Sequence, residues 1–210
     1  RNFSCWFLQG GALFAFLLSV SGKKFDHQQG VALLRNSAYQ GRYLTGLSKL
    51  FLTRFLDPYD SQERLEKQKA FRSILTAYPQ NPMYLFLYND DLLAFEPKQF
   101  FSEKHKQLLA ERIPHLNAST YSNARYHYLV QLQHSLLHPG NDTATNFDLR
   151  EFAYYPHFLR ALRLSRNGNK KEAGSWSHKA RRQLKRSKAP QSRKGYLAWH
   201  MKDALQHGAP

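Results

Sequence analysis

The sequence predicts an all-helical fold, built as antiparallel helix pairs stacked into a solenoid with a C-terminal capping helix. Three observations carry this prediction. Apolar residues recur at three- and four-residue spacing along most of the 210-residue chain, and no stretch alternates strictly as a strand would. Helix breakers return at intervals of about one helix: Asp57-Pro58, Pro79 to Pro82, Pro97, Pro114 and Pro139. A hydrophobic content of 42%, with 12 Tyr, 15 Phe and 3 Trp, is enough for a packed core and far exceeds what a disordered chain carries.

Taken in order, residues 3–20 are apolar on most sides, as in a helix held between neighbours, and Ser21-Gly22-Lys23-Lys24 ends them. Asp26 is placed to cap a second helix, to about Gln40, with Val31, Leu34 and Ala38 on one stripe and Gly41 as a left-handed terminator. A helix over 43–56 has Leu44, Leu47, Phe51 and Phe55 on one face and stops at Asp57-Pro58. Ser61 opens the next, whose buried side reads Leu65, Ala70, Phe71, Ile74 and Ala77. Helices over 83–95, 102–113 and 120–137 keep the rhythm, and 139–147 is a polar interruption. Helices over 151–166 and 170–187 follow, and 191–206 supplies a cap with Leu197, Met201, Ala204 and Leu205. The expected pairs are therefore about 3–40, 43–78, 83–113, 120–137 and 151–187, in a single domain over 1–210.

Near the C-terminus the chain reads Gly168-Asn169-Lys170-Lys171-Glu172-Ala173, with Ala180 seven residues on and Ala161 before the turn. This resembles a tetratricopeptide repeat, in which such a turn leads into a second helix whose small residues let it approach the first closely. Ala70, Ile74, Ala77 and Pro82 repeat the second-helix spacing, with Ile where the family has an aromatic residue. Ser177 and Lys185 depart from the family's aromatic and proline, and the unit is longer than the family's, so the likeness is to divergent, bacterial-type members. The resemblance implies a concave groove lined by the first helix of each pair, suited to an extended peptide or a helix. In the last pair it assigns Tyr155, Phe158, Leu162 and Ser165 to that groove. The Lys and Asn by which some members hold a C-terminal carboxylate are absent there.

Charge is uneven. Residues 1–149 hold 16 Lys/Arg against 12 Asp/Glu, whereas 150–210 hold 15 against 3. Such a basic end attracts acidic proteins, nucleic acid or anionic lipid heads. Helical spacing brings Arg181, Arg182 and Lys185 to one side while Trp176, Ala180 and Leu184 face the stack. No nucleic-acid-reading motif accompanies this patch, and stacking aromatics are not interleaved with it.

The chemistry for catalysis is sparse. Cys5 is the only cysteine, which excludes an intrachain disulfide and a CxxC pair. His134 and His138 have a spacing that can share a metal, and His127 precedes them, but no third ligand or HExxH completes a site. Asp90 and Asp91 are adjacent, so on a helix they diverge by about 100° and do not share a proton. Gly10-Gly11 lacks a following GK[ST], which leaves helix packing as its use. No cofactor, metal or catalytic residue is assigned.

The uncharged run over 5–20 falls short of the roughly 20 residues that span a bilayer, so no stable membrane span is expected. It also fits the hydrophobic part of a secretory signal, with a start that lacks Met in keeping with a processed or partial chain. Cytoplasmic placement is the expectation if 1–21 packs, and a secreted or periplasmic one if it is a signal. The functional expectation is a non-catalytic scaffold or adaptor binding an acidic or amphipathic protein or peptide, with partner contacts at Tyr155, Phe158, Leu162, Arg181, Arg182 and Lys185. The alternative is an electrostatic nucleic-acid binder using 179–194.

Overall fold

Five of the described helices begin at a side chain, Asp60, Asn81, Ser102, Thr120 or Asn169, that accepts first-turn amides. In this computed structural model the described residues are 27–41, 45–137 and 152–187, with Lys194, Leu197, Ala198, Met201, Lys202 and Leu205. The expectations for 3–20, Asp26, Leu44, 139–147 and most of the 191–206 cap lie outside them. The described residues are helical with no strand, and the chain divides into two compact units, 1–78 and 79–210.

The first unit contains α1 (His27–Tyr39), α2 (Thr45–Phe55) and α3 (Ser61–Ala77). Asp60 caps α3, its carboxylate accepting the amides of Gln62 and Glu63 at 2.9 Å each. α1 packs on α2 and α2 on α3. Val31, Ala38, Leu52 and Leu56 form a core that Leu34 and Phe55 flank, and Ala70, Phe71, Ile74 and Leu75 are buried on α3. Arg35 ties α1 to α3 through Glu66 (2.8 Å) and Glu63 (3.3 Å). Two details depart from the sequence reading. Gly41 does not take a positive φ; a Cβ there would stand 2.5 Å from the Ser37 carbonyl oxygen, so the glycine serves a close backbone approach. On α2 and α3 the exposed large residues include Leu47, Phe51 and Leu65, while Ser48 and Thr53 are buried on α2.

The second unit contains α4 (Pro82–Phe95), α5 (Pro97–Phe100), α6 (Glu103–Arg112) with a 3-10 turn at Ile113–His115, α7 (Tyr121–Ser135), α8 (Tyr155–Arg166) and α9 (Lys170–Arg186). Asn81, Ser102 and Thr120 cap α4, α6 and α7. Pro97 begins the short α5, consistent with its fixed φ at a first helical position. α4 lies along α7, α7 touches α8, and α8 packs on α9. The region 83–113 is thus laid out as three helices, and the main neighbour of α4 is α7. α4 can sit centrally because it is apolar on most sides, burying Leu85, Phe86, Tyr88, Leu92, Leu93 and Ala94.

A polar chain crosses this apolar core. Asn89 Nδ2 donates to Gln133 Oε1 (2.9 Å), and Gln133 Nε2 donates to the Phe86 carbonyl (3.2 Å) and to Tyr155 Oη (2.8 Å). The Tyr155 hydroxyl in turn donates to Asp90 Oδ1 at 2.9 Å. Burial and the neighbouring Asp90 carboxylate hold the Tyr155 phenol well above its ordinary pKa, so it stays a donor at neutral pH. Directional bonds among α4, α7 and α8 fix their relative register, which apolar contacts alone specify weakly.

Candidate functional site

The hairpin of α8 and α9 is where the predicted site residues converge. α8 ends in a three-residue turn in which Gly168 has φ 78°. The Gly168 amide donates to the Ser165 carbonyl at 3.1 Å and the Asn169 amide to the Leu164 carbonyl at 2.9 Å, the two bonds of a Schellman stop. Asn169 then caps α9 by accepting the Glu172 amide at 3.3 Å. Turn and cap together reverse the chain, as the Gly168 to Ala173 segment predicts.

Ala161 on α8 and Ala173, Ser177, Ala180 and Leu184 on α9 are buried. Their spacing of three and four residues makes one stripe on α9, and its small side chains suit close helix packing. The opposite face of α9 is basic. Arg181, Arg182 and Lys185 are exposed there, with Lys179 and Arg186 beside them. α8 and α9 together carry ten Lys/Arg and a single carboxylate, Glu172. Among the described residues, none forms an ion pair with Arg181, Arg182 or Lys185.

Tyr155, Phe158 and Leu162 do not join this face. Their exposures are 1%, 1% and 6%. Phe158 packs on Tyr155 with ring centroids 5.9 Å apart, and Tyr155 packs on Phe86 of α4 at 5.3 Å. The groove assignment for these three is therefore replaced by a core role: one side of α8 is occupied by α9 and another by the polar and aromatic core around α4 and α7.

Sequence spacing missed an aromatic–cation group between the two helices. Trp176 is only half-buried; its ring stacks on His157 with centroids 5.4 Å apart and a 30° interplanar angle. The Arg160 guanidinium carbon and the Lys179 ammonium lie 4.2 and 4.0 Å from its centroid. Burial, then Lys179 and Arg160, lower the His157 pKa, so the imidazole is neutral in this cationic setting. The indole ring attracts the cations through its quadrupole and keeps them at the surface in fixed positions. The pairings 157/160 and 176/179 are one helical turn apart, which is the signal the sequence offered.

No protein-family model, curated protein or solved structure matches the chain.

Elsewhere the chemistry is already engaged. An open recess of about 490 Å³ in the first unit is lined by Arg35, Asp57, Asp60, Gln62, Glu63 and Glu66. Asp60 caps α3, Glu63 accepts the Asp57 amide, and Glu63 and Glu66 hold Arg35. Among the described residues no three His, Cys, Asp or Glu side chains are placed to hold a metal ion; His138 lies outside them. Among those residues, too, no helix is long and apolar enough to cross a membrane.

Proposed function

We propose that the protein is a non-catalytic interaction module of tetratricopeptide-like helix hairpins, and that the outer face of the α8–α9 hairpin receives an acidic protein or peptide. One observation carries the reading: a helix pair closed by a Schellman turn and a small-residue seam carries ten Lys/Arg against one carboxylate, with Arg181, Arg182 and Lys185 exposed together on α9. A like-charged surface of this density attracts and orients an anionic partner before contact. Arg and Lys side chains held on a helix can then pair with carboxylates at helical spacing. The helix-pair stack itself, read as repeats, is supported by the buried small residues Ala161, Ala173 and Ala180 at the hairpin seam. Trp176 favours a protein partner over nucleic acid, because Arg160, Lys179 and His157 already occupy positions against the ring on which a base would stack.

The test is affinity capture from native lysate with and without nuclease treatment, comparing the full chain with the triple variant Arg181→Glu, Arg182→Glu, Lys185→Glu. The reading expects a defined acidic protein that the triple variant fails to retain. Capture that disappears with nuclease treatment would replace it with the nucleic-acid reading.

A further inference from the structure

We propose that Arg160, Lys179 and His157, gathered around Trp176 between α8 and α9, form a binding site for a phosphate monoester, presented as a phosphorylated side chain of the acidic partner. This rests on the reading of the hairpin as a surface for such a partner and names the group recognised there. Convergence of charge is the first observation. Arg160 comes from α8 and Lys179 from α9, yet the guanidinium carbon and the ammonium nitrogen stand 4.2 and 4.0 Å from one ring centroid. Like charges from separate helices repel unless something holds them together. The Trp176 π-face does so without consuming an anion. Both cations are exposed, and among the described residues neither has an ion pair or a side-chain hydrogen bond. Glu172, the one carboxylate of the two helices, lies a turn before Trp176 and pairs with neither.

Supply of donors is the second. A cation held over a ring keeps N–H groups for other acceptors, the guanidinium as a planar fork and the ammonium as a rotating set. His157, stacked on the same ring with centroids 5.4 Å apart, adds an imidazole N–H. Burial, then Lys179 and Arg160, lower its pKa and keep it neutral, so it donates without adding to the repulsion. Three donor groups from two helices therefore surround one indole. The seam of Ala161, Ala173, Ser177 and Ala180 is buried between those helices, so the spacing of the donors is set before a ligand arrives.

Charge and shape then select the ligand. A lone carboxylate neutralises only one of the two cations. A phosphate monoester carries a charge of about −1.5 to −2 at neutral pH and three strong acceptor oxygens, which matches two held cations and a neutral donor. Arginine meets such a group in bidentate fashion and lysine as a point charge. The phosphodiester of a nucleic acid offers a single charge, and the ring on which its base would stack is already taken.

The test uses the full chain with isotope-labelled tryptophan and follows the Trp176 indole N–H resonance, assigned by Trp176→Phe, as phenyl phosphate or phthalate is added. Phthalate is also a dianion, but it divides its charge between two carboxylates. At neutral pH and constant ionic strength, phenyl phosphate should bind at least about fivefold tighter than phthalate. Arg160→Gln with Lys179→Gln, both at exposed positions, should remove that preference. Arg181→Glu, Arg182→Glu, Lys185→Glu should weaken both anions and preserve it. An acidic peptide with one phosphoserine should bind at least about tenfold tighter than phenyl phosphate, because it also reaches the α9 stripe. Equal affinity for the two dianions, or a preference that survives Arg160→Gln, Lys179→Gln, would overturn the phosphate site; an unphosphorylated acidic peptide that still bound would then leave the stripe standing. A phosphopeptide no tighter than phenyl phosphate would overturn the assignment to a protein side chain.

Discussion

Acid should destabilise the second unit mainly through His105. This side chain is 4% exposed, its Nε2 has no hydrogen-bond partner, and its ring lies against Phe100 and Tyr88 with centroids at 5.1 and 5.9 Å. Burial lowers its pKa from 6.5 to about 4. A lowered folded-state pKa means that between those values the unfolded chain binds a proton the folded chain refuses, so stability falls as pH falls. From the two pKa values, the loss is about 1.4 kcal/mol at pH 5.5 and about 3 kcal/mol at pH 4, levelling below that. Urea titrations of the wild type and of His105→Leu at several pH values measure it. The substitution shifts stability by some constant at pH 8; the expectation concerns the divergence below pH 6.5, where the wild type should lose these amounts relative to the variant. His157, whose pKa is also lowered, is present in both proteins and cancels. Parallel pH profiles, or an imidazole resonance for His105 titrating near 6.5, would refute the burial argument.

Three further substitutions follow from the packing. Tyr155→Phe removes the hydroxyl that links Gln133 to Asp90, and should cost about 1–3 kcal/mol by urea unfolding with an unchanged m value. Phe158→Ala opens a cavity beside Tyr155 and should cost about 3–5 kcal/mol; any binding it loses should return at low temperature, where the fold is retained, because no partner contact has been removed. Gly168→Ala has open space for its Cβ but must adopt φ 78°, so thermal melts should report a loss of about 1–2 kcal/mol from backbone strain alone.

Local signals were well written in the sequence. Asn169 and Gly168 announce the α8–α9 reversal, and Ala161, Ala173 and Ala180 announce its seam. These act over a few residues, so spacing suffices to read them. Neighbour choice is another matter: periodicity says which side of a helix is apolar, but α4 is apolar on most sides and offers no clue that α7 will be its main partner. Gln133 reads as an ordinary helix residue because its partner Asn89 lies 44 positions away. Tyr155, Phe158 and Leu162 look like an apolar face open to a ligand until α9 and the α4–α7 core are seen to occupy it. On α2 spacing singles out one face with Leu47, Phe51 and Phe55, and only the contacts show that Leu47 and Phe51 are exposed while Ser48, Leu52 and Thr53 are buried. Arg181, Arg182 and Lys185 were legible because exposure of a basic stripe requires no distant partner.

The proposed binding of an acidic protein at the Arg181, Arg182 and Lys185 stripe is open to direct measurement. Fluorescence anisotropy tests it most directly, titrating the full chain into a labelled acidic helical peptide and into a single-stranded oligonucleotide of equal net charge. The expected result is tighter binding of the peptide, weakened at least about tenfold by Arg181→Glu, Arg182→Glu, Lys185→Glu with an unchanged melting curve. Tighter binding of the oligonucleotide, with affinity falling steeply as salt rises, or peptide binding indifferent to the charge reversal, would contradict it.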